Sequence, residues 1–191
     1  MSDAAPKKKL TSLWLIIALV AAPVVASYLL YFTWEPDRTV NYGELIEPRP
    51  LPDPPLALAN GEPFRLSQLR GKWLLVSLDS GRCDAHCERK LLYMRQLRLT
   101  QGREKERVER VWIATDDAAP RPDTMDPYAG TWRVRAAGAD LAGAFPAPRS
   151  AADHIYVVDP LGNLMMRFPA DPEPRLMIKD LSRLLKASQV G

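Results

Sequence analysis

Cysteine and histidine are scarce in this chain, with two of each in 191 residues. Two cysteines are too few for the multi-bridge framework of a small disulfide scaffold. A marked excess of one charge is also missing. Lysine and arginine total 26 against 23 aspartates and glutamates, and Lys7, Lys8 and Lys9 against Asp3 supply most of that excess before residue 35. The rest is close to neutral, which excludes the basic docking field that nucleic acid requires. No internal repeat is visible. The hydrophobic fraction of 47% is ordinary for a globular domain.

What is present begins with one long apolar run. Leu13 to Phe32 carries no charge, and its length spans a hydrocarbon core of about 30 Å as a helix. A transmembrane helix is expected over 13–33. Trp14 at one end and Tyr31 and Trp34 at the other fit interfacial aromatic belts. Pro23 lies mid-span, where a membrane helix tolerates it. The three lysines place residues 1–12 in the cytoplasm as a short tail, by the positive-inside rule. The remainder then lies across the membrane. A cleaved signal peptide, cut after Ala26, is the competing reading, but the apolar run continues beyond that site. The first twelve residues lack the arginine- and serine-rich pattern of a transit peptide, so a bacterial inner membrane and a periplasmic domain are expected.

Prolines number 18, and they cluster. Pro36, Pro48, Pro50, Pro52, Pro54 and Pro55 fall within residues 34–55, which reads as a stiff, extended linker. A domain over 56–191 follows. Trp73 to Leu78 reads as a buried strand, and Leu91, Met94 and Leu97 form the stripe of a helix. Val108 to Thr115 is a second strand, Thr131 to Arg135 a third with one wet face, and Gly138 to Phe145 a short helix. His154 to Val158 and Leu164 to Phe168 make a hairpin about an Asp-Pro-Leu-Gly turn. Pro174 opens a last helix. The layout is mixed α/β, in the order of a thioredoxin-like domain.

Both cysteines sit at the first strand-to-helix junction, in Cys83-Asp84-Ala85-His86-Cys87. Four residues apart on a helix, they share a face. Their expected separation of about 6 Å suits a disulfide, whose Cα atoms lie about 4.4–6.8 Å apart. It equally suits two thiolates converging on one metal ion. In a thioredoxin-like sheet, the loop before the strand at 154–158 lies beside the cysteine helix. His154 is thereby expected to join the sulfurs, and two thiolates with an imidazole select Cu(I). His86 is expected to face solvent, with a fourth-ligand role for zinc as the sharper alternative.

Gly61 through Gly71-Lys72-Trp73, the CxxxC at Cys83 and Cys87, and Asp153-His154 before Tyr156-Val157-Val158-Asp159-Pro160-Leu161-Gly162 together resemble the SCO/SenC family. The resemblance covers roughly residues 56–187. It implies a membrane-anchored, thioredoxin-like copper protein that assists assembly of the copper centre of cytochrome c oxidase. It also implies that Cys83, Cys87 and His154 are copper ligands. The implied partner is the oxidase's copper-binding subunit or another copper chaperone. Asp84 and Glu88 stand where the family usually has prolines; they oppose a thiolate and help hold a cation. Two further functions are set beside this one. A thiol–disulfide oxidoreductase would use Cys83 and Cys87 as its redox pair and would not need His154. No proline immediately precedes the strand at 154–158, where thioredoxins have one, and this disfavours a general oxidoreductase. An assembly factor with a purely structural disulfide is the third.

Overall fold

A computed structural model describes residues 8–33, 41–136 and 141–188. Residues 1–7 of the expected tail, residues 34–40 of the expected linker and residues 138–140 of the expected short helix lie outside the described residues. The chain divides into two units, Met1–Val40 and Asn41–Gly191. Among its described residues the first is a single helix, α1 (Lys8–Thr33), with Pro23 inside it. Its stretch Thr11–Thr33 has a mean hydropathy of 2.4 and is long and apolar enough to cross a membrane.

The second unit is built on one sheet. Its strands are β1 (Glu44–Pro50), β2 (Leu56–Leu58), β3 (Pro63–Phe64), β4 (Trp73–Asp79), β5 (Val108–Ala114), β6 (Thr131–Arg135), β7 (Ile155–Val158) and β8 (Asn163–Arg167), in the spatial order β1-β8-β7-β4-β5-β6-β2-β3. The centre is parallel: β4 pairs with β5, and β5 with β6. β7 joins β4 antiparallel and continues into β8 as a hairpin. Helix α2 (Ala85–Thr100) links β4 to β5, and α3 (Pro174–Ala187) closes the chain.

Alternation along the central strands divides the core. Leu74, Val76, Leu78, Val111, Ile113, Tyr156 and Val158 meet Phe64, Leu66 and Phe145 in one cluster. Trp73, Leu75, Val108, Ile155 and Val157 meet Met94 and Leu97 of α2 and Met177, Leu181 and Leu185 of α3 in another. Strand β4 is covered on both faces throughout. That is why its sequence is an unbroken apolar run instead of an alternating one.

Two expectations are corrected. The proline-rich segment is not only a linker: Glu44–Pro50 pairs antiparallel with β8, from Glu44 opposite Arg167 to Pro50 opposite Asn163. Prolines are compatible with β1 because it is the outermost strand, and an edge residue can do without its ladder N–H. The short helix expected over 138–145 contracts, within the described residues, to a single 3₁₀ turn at Ala142–Ala144.

Candidate functional site

The site stands where β4 ends and α2 begins. Ser80 to Asp84 turns the chain, with the Cys83 amide donating to the Ser80 carbonyl at 3.0 Å. Cys83 has φ 46°, the one left-handed backbone among the described residues other than glycines. Asp84 then caps α2. Its Oδ1 accepts from the amides of His86 and Cys87, each at 3.0 Å. These bonds, the Cys87 amide first, hold the Asp84 carboxyl below the ordinary carboxylate range. A side-chain cap of this kind satisfies amides that a helix start otherwise leaves unpaired. Asp84 thus has a structural task that the sequence reading missed. Its signal was an aspartate directly ahead of the helical stripe.

Cys83 and Cys87 form a disulfide with a Cα separation of 5.1 Å. The bridge is covered: the two cysteines are 2% and 1% exposed, packed with Leu91, Trp112, Ala114 and Met125. The segment after β5 supplies much of that cover. Asp116 Oδ1 accepts from the Gly81 amide at 2.8 Å and from the Ala118 amide at 3.0 Å. A Cβ on Gly81 would lie 1.8 Å from the Ala118 carbonyl oxygen, so only glycine fits there. Arg121 pairs with Glu88 at 2.6 Å, and Tyr128 packs on the cysteine cluster. Glu88, like Asp84, is therefore engaged: it ties the covering segment to the cysteine helix.

Between α2 and the end of β4 lies a buried ion pair, Lys90 Nζ to Asp79 Oδ1 at 2.7 Å. Lys90 also donates to the Leu78 carbonyl at 3.3 Å and to the Ala152 carbonyl at 2.5 Å. It thus ties α2, the end of β4 and the segment before β7 together. Burial pushes Asp79 up and Lys90 down, and each is pulled back by the other's charge. His86 shares this side of α2, one helical turn from Lys90. It is half-buried, and its Nε2 is fully covered without a partner. The expectation of a solvent-facing His86 is corrected accordingly. Asp79 Oδ2 and Ser77 Oγ are also buried without partners.

His154 is placed elsewhere. It is 7% exposed, and its Nδ1 lies 2.8 Å from the Phe168 carbonyl, which can only accept. Its backbone is extended (φ −121°, ψ 159°), so it continues the pleat of β7. It therefore shares a face with Tyr156, ring centroids 6.1 Å apart, while α2 packs on the face of Ile155 and Val157. Of the three expected metal ligands, folding brings the two sulfurs together and turns the imidazole to the other side of the sheet. Among the described residues, no group of three His, Cys, Asp or Glu side chains is arranged to hold a metal ion.

Residues 73–188 match the family model described as "Transmembrane-like, thioredoxin-like, C-terminal domain". No curated protein matches the sequence. Among solved structures, copper-bound ScoI from Bradyrhizobium japonicum is similar with a TM-score of 0.54 at 20% identity, covering 71% of this chain and 99% of its own. Copper-bound Sco1 from yeast gives 0.58 at 16% identity, covering 75% and 96%. A thioredoxin-family thiol:disulfide interchange protein from Chlorobium tepidum gives 0.51 at 22% identity, covering 74% and 97%. At such identities the likeness shows the fold, which is thioredoxin-like α/β.

Proposed function

Because the chain belongs to the transmembrane-like, thioredoxin-like C-terminal domain family, we propose that it is a membrane-tethered redox protein whose Cys83–Cys87 pair exchanges with the thiols of partner proteins. The observation that carries this reading is the disulfide at the first turn of α2, reached without any contribution from His154. In the forward direction, a partner thiolate attacks Cys83 Sγ and the Cys83–Cys87 bond breaks. Cys87 leaves as a thiolate at a helix N-terminus, where the dipole favours negative charge. A second partner thiolate attacks the mixed disulfide and expels Cys83. Two electrons pass from partner to protein, and the partner keeps the new disulfide. Both sulfurs are covered, so displacement of the segment after β5 precedes attack.

Copper handling is the second reading, favoured by the copper-bound state of the ScoI and Sco1 neighbours. In it, reduced Cys83 and Cys87 receive Cu(I) as cargo for the copper-binding subunit of cytochrome c oxidase or for another copper chaperone. His154 would have to leave the Phe168 carbonyl and cross to the α2 face to take part. In either reading α1 anchors the protein in a bacterial inner membrane, with its N-terminus cytoplasmic and the larger unit in the periplasm.

The deciding experiment takes the full chain in detergent. The redox reading expects a reduction potential within the range of known exchange catalysts, about −120 to −270 mV, and a trapped mixed disulfide with Cys87→Ser. A potential below about −300 mV marks a structural bridge and sinks it. The copper reading expects one equivalent of copper on the reduced chain, lost in His154→Ala.

A further inference from the structure

A second site lies on β5 and β6. There a cavity of about 550 Å³ opens between Arg98 of α2, Arg110 of β5, the Gly130–Thr131 start of β6 and Arg133, with Leu58 at its rim. Arg110 pairs in register with Thr131, and Trp112 with Arg133, so Arg110, Thr131 and Arg133 share one face.

Arg110 is 4% exposed. Its Nη2 donates to the Ala129 carbonyl at 2.7 Å, but Nε and Nη1 are buried with no acceptor. The Thr131 hydroxyl is likewise buried and unpartnered. Burial, and next the charge of Arg98, pull the Arg110 guanidinium below its ordinary value. The lining holds three arginines and one carboxylate, Glu109. That carboxylate accepts from Trp132 Nε1 at 3.1 Å. A buried cation with unfilled donors is unfavourable unless something supplies the anion.

We propose that this cavity binds a small phosphate monoester. Arg98 is already paired with Glu106 at 3.4 Å, but Arg110 and Arg133 against Glu109 leave the lining net positive, which favours an anion. Guanidinium donors are well suited to phosphate oxygens, and the Thr131 hydroxyl adds a neutral donor. The volume lies in the range of about 300–1,000 Å³ usual for small-ligand sites and exceeds what a bare phosphate fills. The organic part has room beside it: a neighbouring cavity of about 290 Å³ shares Ala59, Asn60 and Arg133 and reaches Trp112 and Ala114. This site involves neither cysteine and stands whether or not the redox reading does.

The test uses the oxidised full chain in zwitterionic nanodiscs, titrated calorimetrically with inorganic phosphate and with glycerol 3-phosphate at fixed ionic strength. Saturable binding is expected, tighter for the ester, and weakened at least tenfold by Arg110→Met. Should Arg110→Met not fold, Thr131→Val combined with Arg133→Ala takes its place and weakens binding several-fold with an unchanged circular-dichroism spectrum. A third arm embeds the chain in nanodiscs containing phosphatidic acid. Loss of glycerol 3-phosphate binding there assigns the phosphate to a lipid headgroup; retained binding assigns it to a soluble ester. No saturable heat with either phosphate, or equal affinity in the variants, overturns the site.

Discussion

Two buried cations on the α2 side of the sheet are treated in opposite ways. Lys90 is filled: one carboxylate and two carbonyls take its ammonium. Arg110 is unfilled: one carbonyl takes Nη2, and Nε and Nη1 have no acceptor. A filled charge fixes architecture, and here it ties α2 to the end of β4 and to the segment before β7. An unfilled charge beside a cavity is a receptor for something brought from outside. The same physics, desolvation of a cation, serves a structural purpose in one place and recognition in the other.

Replacing each cation by methionine separates the two cases, and the largest effect belongs to Lys90. Lys90→Met leaves Asp79 buried without its counter-charge and is expected to lose about 3–5 kcal/mol of stability in urea unfolding. Adding Asp79→Asn should recover much of that loss. A neutral Lys90→Met would abolish the contrast. Gly81→Ala comes next. Its Cβ collides with the Ala118 carbonyl, so a loss of about 1–3 kcal/mol is expected. The bridge should also be reduced faster by dithiothreitol, because the cover is pushed aside. Asp84→Ala removes the cap of α2 at about 1 kcal/mol. The Asp84 carboxyl is held below its ordinary value, so its contribution is complete above the unfolded carboxylate pKa of about 4. It fades as pH falls through the lowered folded value. Asp84→Asn should therefore flatten the acid limb of the stability curve. The smallest effect is expected from Arg110→Met, with unfolding in phosphate-free buffer unchanged or slightly harder. A large loss there would mean that Arg110, too, is architectural.

The central strands, the cysteine helix, the hairpin and the last helix were legible because their apolar patterns are strong and their turns carry proline and glycine. Strand β1 was not, since proline signals a linker except where a sheet has an open edge to receive it. The disulfide was legible as one of two uses of a four-residue spacing. The side taken by His154 was not. It depends on whether the pleat of β7 extends one residue upstream, and a one-residue change of register reverses the face. The inward turn of His86 and the burial of Lys90 were hidden for a related reason. Charged residues in the first turns of a helix read as solvated unless the strand end beneath them is known to carry a carboxylate. Arg110 did leave a trace: it is the one cation in the strand sequence Val108-Glu109-Arg110-Val111-Trp112-Ile113, which is apolar except for it and Glu109.

If Cys83 and Cys87 exchange as proposed, the left-handed turn at Cys83 bears on how a partner would tell one redox form from the other. Holding an L residue there costs about 1–2 kcal/mol, and the covalent link to Cys87 helps to hold it. Once that link opens, the main chain from Ser80 to Cys83 is free to relax toward a commoner conformation. The two forms would then differ in loop shape as well as in sulfur chemistry. A protein that reads this shape would bind one form and release the other, and so leave once its electrons have been delivered.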